Sequence, residues 1–135
     1  MSTLKTGTVQ NNTGTGAPVF KNSSGTEIGQ LCKAWVNFNG TGTVAIRTNF
    51  NVSSITDNAT GDYTVNFTTA MANVNYCVSG TAADLRSGTS YRWIVIGSIN
   101  SSNYAKTTSG VRLQAGYSSD NIEDAEQVNV VIHGD

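Results

Sequence analysis

Apolar and polar residues alternate along much of this chain with the two-residue period of a β-strand. Tyr63, Val65 and Phe67 alternate with threonine and asparagine, and the same pattern returns over 111–117 and 128–132. Strands place successive side chains on opposite faces, so each segment predicts a strand with one buried face. No segment keeps the 3.6-residue apolar period of a helix, and we therefore expect little helix.

Further strands are predicted where apolar runs lie between turn residues. Leu31 to Phe38 and Tyr91 to Ile99 are apolar on both faces, which favours strands covered on both sides, the second at the centre of a sheet. Thr43 to Phe50 follows the turn Asn39 to Gly42 and is expected to return antiparallel. Ala72 to Gly80 repeats the alternation. About seven or eight such strands predict an all-β fold, an antiparallel, jelly-roll-like β-sandwich.

The first 30 residues differ from the rest of the chain. Thr6 to Gly16 is rich in Thr, Gly and Asn and has little to bury. We therefore predict an extended N-terminal arm over residues 1–30 and a β-sandwich domain over 31–135. The arm is either flexible or ordered against neighbouring subunits. Its apolar residues favour the second alternative and are the predicted attachment and oligomerisation positions: Leu4, Val9, Val19, Phe20 and Ile28.

Charge and hydropathy exclude several classes of partner. Only 13% of the residues are charged, the net charge is −1, and the eight Lys and Arg residues are scattered, so a nucleic-acid partner has no electrostatic footprint. No segment approaches the roughly 20 apolar residues that span a bilayer, and the N-terminus lacks the apolar stretch of a secretory signal. We expect synthesis in a cytoplasm, without membrane insertion.

Residues capable of catalysis are sparse. His133 is the only histidine and lies near the C-terminus, which leaves a serine or cysteine nucleophile without a well-placed base. Cys32 and Cys77 allow at most one disulfide, and a reducing cytoplasm favours two packed thiols instead. The sequence therefore predicts no enzyme, no cofactor and no metal site.

One acidic group qualifies this prediction. Asp120, Glu123, Asp124 and Glu126 lie within seven residues of one another. Paired carboxylates could serve a glycosidase, and oxygen ligands suit calcium, but the spacing matches no calcium loop. A solvated loop that keeps a nearly neutral surface soluble is the favoured interpretation.

Aromatic residues are the positive indication of binding. Exposed rings among Asn, Ser and Thr would suit sugars, whereas strand positions favour core packing, which we expect for Trp35, Trp93, Tyr63 and Tyr76. Loops on a rigid sandwich commonly carry recognition. The candidate ligand-binding residues are therefore those in or beside polar loops, which either form a contact surface or only solubilise the protein: Arg86, Tyr104, Lys106, Tyr117 and Asp120.

Two consecutive segments carry a family resemblance. Lys33 to Gly61 reads KAWVNFNGTGTVAIRTNFNVSSITDNATG, and Gly61 to Gly80 reads GDYTVNFTTAMANVNYCVSG. They resemble a module of bacteriophage and prophage tail-fibre proteins that also occurs in short virion proteins of marine phages. The opening MSTLKTGTVQNNTGTGAPVF is similar to the start of such short proteins. The resemblance implies a β-rich homotrimeric domain for attachment or decoration.

The expected function follows from this resemblance. We expect a non-enzymatic structural protein of the phage virion, a tail fibre or fibre-like appendage that contributes to host-surface attachment. The alternative is a capsid decoration or capsid-fibre protein with a purely structural role. Expected partners are further copies of the chain, other virion proteins through the arm, and a host-surface glycan at the loops. The protein is expected on the virion after synthesis in the host cytoplasm.

Overall fold

The structure is a computed structural model. It describes residues 6–9, 18–84, 92–96, 106–118 and 121–134. These residues form eleven strands and no helix, and so include no helix able to cross a membrane. The chain divides into two compact units, Met1–Leu31 and Cys32–Asp135.

The first unit contains a short hairpin. Strand β1 (Phe20–Lys21) pairs antiparallel with β2 (Glu27–Gly29). The side chain of Asn22 closes the turn, because its Oδ1 accepts hydrogen bonds from the backbone N–H of Ser24 at 3.0 Å and of Thr26 at 2.9 Å. All residues of both strands are exposed. The sequence pattern did not predict this hairpin, because its strands are short and bury no apolar face.

The described residues of the second unit form two antiparallel sheets. The four-stranded sheet has the order β4 (Ala45–Phe50), β3 (Ala34–Asn39), β11 (Gln127–His133) and β7 (Cys77–Ala83). The five-stranded sheet has the order β10 (Asn121–Ile122), β9 (Gly110–Ser118), β6 (Asp62–Phe67) and β5 (Val52–Ala59), and β8 (Trp93–Ile96) also pairs with β9.

Alternate residues of both sheets form one buried apolar cluster. Phe38 of the four-stranded sheet meets Tyr63 of the five-stranded sheet edge to face, with ring centroids 5.2 Å apart. Each large apolar side chain buried in this way contributes about 1.5–3 kcal/mol. The predicted all-β antiparallel sandwich is confirmed. Most of the largest buried side chains come from the segments with two-residue periodicity: Tyr63, Tyr76, Leu113, Ile132, Val65, Val111, Val128 and Val130. The others, Phe38 and Val36, come from the run 31–38.

Asn51 joins the two sheets between the end of β4 and the start of β5. Its φ of 55° lies in the left-handed region, which asparagine tolerates better than most residues. The side-chain amide donates to the carbonyl oxygens of Lys33 at 3.0 Å and Thr69 at 3.1 Å, while its Oδ1 accepts from the N–H of Thr69 at 2.7 Å. These bonds fix the corner at which the chain changes sheets.

Two predictions about strand burial were wrong. The strand within 31–38 has one buried face only, because Trp35 on the other face is 36% exposed. Trp35 was expected in the core. The described part of 91–99 is β8, which pairs with β9 alone among the described residues and so lies at a sheet edge instead of its centre. An apolar run does not reveal by itself whether a neighbour covers its second face.

Candidate binding cleft

Five chain segments surround a polar cleft of about 320 Å³ in the sandwich unit. Two turns contribute, the one between β3 and β4 and the one between β5 and β6. The end of β7, the start of β8 and the segment between β10 and β11 complete it. Short connections between strands bring these distant segments together. The residues that line the cleft are Thr41, Gly42, Thr60, Asp84, Arg92, Glu123 and Asp124.

Arg92 is the central charged residue of the cleft. Its side chain is only 6% exposed. One terminal nitrogen lies 2.6 Å from Oδ2 of Asp84, and the other binds Oε2 of Glu123. Asp84 is 13% exposed and Glu123 is 47% exposed. A buried guanidinium is stable only when it is paired, so these two carboxylates are needed to hold Arg92 in place.

The charge of Arg92 is permanent in this setting. Burial alone would lower the pKa of Arg92, but the hydrogen bonds that Arg92 donates to Glu123 and Asp84, together with their negative charges, outweigh burial, and the pKa is raised. The guanidinium carbon also lies 5.4 Å from the centroid of the Tyr117 ring, within the range of a cation–π contact. The Nε atom of Arg92 is buried and has no hydrogen-bond partner in the described part of the chain.

Asp124 connects the cleft to the core. Its Oδ1 accepts a hydrogen bond from the backbone N–H of Gly61 at 2.7 Å and another from the hydroxyl of Tyr63 at 2.9 Å. The same hydroxyl lies 2.9 Å from the carbonyl oxygen of Gly40, so its single proton is shared between two acceptors. Burial, followed by the Asp124 carboxylate, raises the pKa of Tyr63. Tyr63 therefore remains a neutral hydrogen-bond donor at physiological pH.

The solvated-loop interpretation of the acidic group was wrong for two of its members. Glu123 pairs with Arg92, and Asp124 binds Tyr63 and Gly61. Asp120 lies outside the described residues. In the described ranges no three His, Cys, Asp or Glu side chains lie together in a way that could hold a metal ion. The acidic segment therefore shapes the cleft.

A second ion pair lies away from the cleft. Arg112 binds Asp62 through two hydrogen bonds of 2.7 Å, from Nε to Oδ1 and from a terminal nitrogen to Oδ2. The amide of Asn58 adds a 3.3 Å bond to the same Oδ1. Asp62 is buried, and a bidentate pair of this kind compensates the loss of solvent around its charge. This pair joins β6 to β9 and has a structural role.

The predicted ligand-binding residues are placed as follows. Tyr117 is exposed at the end of β9 and contacts Arg92. Lys106 is half-buried, and its Nζ donates to the carbonyl oxygen of Tyr76 at 2.7 Å and lies 5.1 Å from the centroid of that ring. Arg86, Tyr104 and Asp120 lie outside the described residues. Of the two candidates that the structure describes, Tyr117 contacts the cleft residue Arg92 and Lys106 binds Tyr76 instead.

The predicted attachment residues lie in the first unit. Val9, Val19, Phe20 and Ile28 are exposed, and Leu4 lies outside the described residues. A segment that leaves several apolar side chains in solvent gains free energy when a partner covers them. Their attachment role stays a prediction.

The remaining candidate residues for chemistry are spread out. His133 is exposed at the end of β11, where its backbone register partner is Cys77. Cys32 and Cys77 are both free, and Cys77 is exposed, so the prediction of two packed thiols was wrong for Cys77. Its neighbours Tyr76 and Val78 pack in the core, so the alternation of strand side chains places Cys77 on the opposite face.

Sequence reasoning missed Arg92 and its partner Asp84. A signal was present, because Arg92 lies within the otherwise apolar run YRWIVIG. A charged residue in such a run is buried and needs an acidic partner. The sequence alone does not identify which acid lies close enough to pair with it.

Comparisons with known proteins identified no relative of this chain. No protein-family model matches the chain, and no curated protein or solved structure is significantly similar to it.

Proposed function

We propose that this chain is a structural protein of a bacteriophage virion, in a tail fibre or fibre-like appendage, and that it contributes to host-surface attachment without catalysis. The observation that carries the proposal is the polar cleft around Arg92, which turns and strand ends of a rigid sandwich build together. Proteins place recognition surfaces on such connections because the scaffold fixes their geometry. The resemblance of residues 33–80 to tail-fibre modules supports the same role.

The hydrogen-bonding groups of the cleft suit a host-surface glycan. Glu123 is half exposed and presents a carboxylate, and two threonines, Thr41 and Thr60, also line the cleft. Sugar hydroxyls both donate and accept hydrogen bonds, so a mixed set of acceptors and hydroxyls can hold them. The adjacent Tyr117 ring offers an apolar surface to a sugar face.

The same contacts favour binding over catalysis. General acid–base chemistry requires a carboxyl group that exchanges a proton with the substrate. Asp84 and Glu123 are instead engaged by the permanent charge of Arg92, and one oxygen of Asp124 accepts two hydrogen bonds. We therefore assign the cleft to recognition.

Assembly into the particle is proposed to depend on the first unit. Its exposed Val19, Phe20 and Ile28 offer apolar surface to other virion proteins. Copies of the chain are proposed to associate as a homotrimer, after synthesis in the host cytoplasm.

Competition for adsorption tests the attachment role. Purified chain, added in excess, is expected to slow adsorption of the encoding phage to its host. Thr60→Trp places a bulky side chain at the cleft and is expected to weaken this competition about tenfold, a loss of about 1.4 kcal/mol. Ala72→Trp is the matched control, since Ala72 is exposed in a turn that does not line the cleft.

Circular dichroism first establishes that both variants are folded, so that a difference in competition can be assigned to the cleft. Competition by Ala72→Trp but not by Thr60→Trp supports the proposal. Equal competition by the wild-type chain and Thr60→Trp, or no competition by the wild-type chain, contradicts it.

A further inference from the structure

We infer that the outer face of the four-stranded sheet binds an acidic saccharide, at a site separate from the polar cleft. The side chains of this face alternate along the strands with those that pack in the core. The site, here called the Trp35 face, consists of three rows that cross the sheet. The rows are Lys33, His133 and Cys77 in the first, Phe50, Trp35, Val131 and Ser79 in the second, and Thr48, Asn37, Asn129 and Thr81 in the third.

The second row gives the face an aromatic platform. Trp35 is the register partner of Phe50 on one side and of Val131 on the other, so the three side chains lie on one surface. Trp35 is 36% exposed and Phe50 is 53% exposed. The C–H groups on one side of a pyranose ring pack against the negative face of an aromatic ring. A tryptophan that a strand holds at the surface is therefore suited to stack on a sugar.

The third row offers hydrogen-bonding groups of fixed direction. The amide of Asn37 donates to Oδ1 of Asn129 at 2.6 Å, and the amide of Asn129 donates to Oγ1 of Thr81 at 3.1 Å. An amide nitrogen carries two donors, and each of these amides uses one of them. Within the described residues, the second N–H of each asparagine and the side-chain oxygen of Asn37 make no hydrogen bond. The bonds already made orient these open groups.

The open groups favour a saccharide over an apolar surface. An apolar partner that covered the third row would leave its donors buried and unpaired, which is unfavourable. Sugar hydroxyls both donate and accept hydrogen bonds. A saccharide can therefore satisfy the amide N–H groups and the side-chain oxygen of Asn37 while its ring covers Trp35.

Charge favours an acidic saccharide over a neutral one. Lys33 directly precedes β3, and His133 follows the register partner of Ala34, so the two lie side by side next to the Trp35 row. None of the residues in the three rows is acidic. A sugar carboxylate attracts the Lys33 ammonium group and accepts a hydrogen bond from the His133 imidazole. The carboxylates that the structure describes in the second unit lie in or near the connections that form the cleft, beyond the other end of β3: Asp57, Asp62, Asp84, Glu123, Asp124 and Glu126.

Calorimetric titration of the full chain tests the inference, with trigalacturonate as the acidic probe and its methyl ester as the neutral probe. The two probes share their sugar rings and differ in the carboxylate. Trigalacturonate is expected to bind the wild-type chain, and the ester to bind about fivefold more weakly. Trp35→Ala is expected to weaken trigalacturonate binding about tenfold. Lys33→Gln is expected to remove most of the preference for the acid.

Asn129→Ala and Asn66→Ala form a matched pair of variants. Both asparagines are half-buried and bind side chains of neighbouring strands, since the amide of Asn66 donates to Ser54 at 3.1 Å and to Thr56 at 2.9 Å. Asn66 lies in the other sheet. Asn129→Ala is expected to weaken trigalacturonate binding and Asn66→Ala to leave it unchanged. Circular dichroism establishes that both variants are folded.

Fluorescence gives a readout that leaves the Trp35 face intact. Trp93→Phe leaves Trp35 as the only tryptophan, and its emission is expected to change as trigalacturonate saturates the chain. Binding without a change in emission would place the saccharide elsewhere and contradict the inference. The absence of saturable trigalacturonate binding, equal binding of the ester, or unchanged binding by Trp35→Ala would also overturn it. A multimeric wild-type chain that Trp35→Ala converts to a monomer would assign the face to a second copy instead.

Failure of this inference is distinguishable from failure of the proposed function, because Thr60→Trp tests the cleft and Trp35→Ala tests the sheet face. A chain that competes for adsorption through the cleft but does not bind trigalacturonate would overturn only the inference. Trigalacturonate binding that depends on Trp35, in a chain that does not compete for adsorption, would do the reverse.

Discussion

The hydroxyl of Tyr63 lies 2.9 Å from Oδ1 of Asp124, which links a fully buried residue of β6 to the wall of the polar cleft. The same hydroxyl reaches the carbonyl oxygen of Gly40 at the start of the β3–β4 turn. One core side chain thus holds two of the segments that form the cleft. The shape of the cleft and the stability of the core are therefore coupled through Tyr63.

Tyr63→Phe is expected to lower the free energy of unfolding by about 1–3 kcal/mol, because the buried acceptors that shared its proton lose a donor. Urea denaturation measures the change. Tyr117→Phe removes a hydroxyl from an exposed ring and is expected to stay within about 0.5 kcal/mol of the wild-type chain. Equal stability of the two variants would contradict the structural role of the Tyr63 hydroxyl.

Alkaline pH is expected to destabilise the fold through its buried tyrosines. Burial raises the pKa of Tyr76 from 10.0 to about 12 and also raises the pKa of Tyr63. Above about pH 10 the unfolded chain loses these protons while the folded chain retains them, so stability falls as pH rises, by up to about 1.4 kcal/mol per pH unit for each tyrosine.

Urea denaturation at a series of pH values measures this slope. Tyr76→Phe removes one of the two titrating groups and is expected to make the slope shallower. The stability of the wild-type chain is expected to fall between about pH 10 and pH 12, and a constant stability there would contradict the assigned burial of both hydroxyls.

Two glycines with nearly the same backbone conformation are expected to respond differently to alanine. Gly61 has a φ of 63° and Gly42 a φ of 62°, so alanine carries the left-handed strain of about 1–2 kcal/mol at both positions. A Cβ at Gly61 would lie 2.6 Å from the carbonyl oxygen of Ala115 and 2.8 Å from the backbone nitrogen of Glu123, whereas a Cβ at Gly42 would meet nothing within 4 Å.

Gly61→Ala is therefore expected to cost about 1–3 kcal/mol more than Gly42→Ala in thermal or urea denaturation, because backbone atoms cannot move aside cheaply. Gly42→Ala serves as the control for conformational strain alone. Equal losses would show that the packing of Gly61 against β9 is looser than the structure has it.

Replacing three apolar residues of the first unit is expected to abolish attachment to the particle, trimerisation or both. The triple variant Val9→Ser, Phe20→Ser and Ile28→Ser removes exposed side chains and is expected to leave the sandwich folded. Incorporation into virions and the mass in solution are the measurements. Alanine at the exposed polar residues Thr6, Ser23 and Thr26 is the control. Retained incorporation of the serine variant would count against an anchoring role.

The sequence predicted the sandwich core well, for a physical reason. A strand with one buried face alternates every two residues, so Tyr63, Val65 and Phe67 carry a local signal of their burial. The run around Trp35 carries no such signal, because apolar residues occupy both of its faces. The surroundings of Trp35 depend on what packs on the sheet, which is not encoded in neighbouring residues.

The cleft was less predictable because its contacts are distant in sequence. Asp124 meets Tyr63 across 61 positions, and Arg92 meets Glu123 across 31. The acidic composition of 120–126 was visible, but composition alone suggests solvation. Lys106 was expected in a polar loop, where its ammonium group instead binds the carbonyl oxygen of Tyr76. Local sequence indicates which residues are candidates for such hydrogen bonds and ion pairs, but the partners are determined by the tertiary fold.

The location and copy number of this chain on the intact particle test the central claim most directly. Cryo-electron tomography of the encoding phage, with the chain quantified against the major capsid protein, measures both. The account predicts a few copies at the tail. Copies by the dozen or hundred over the capsid would replace attachment with a decoration role, and absence from the particle would contradict a virion function altogether.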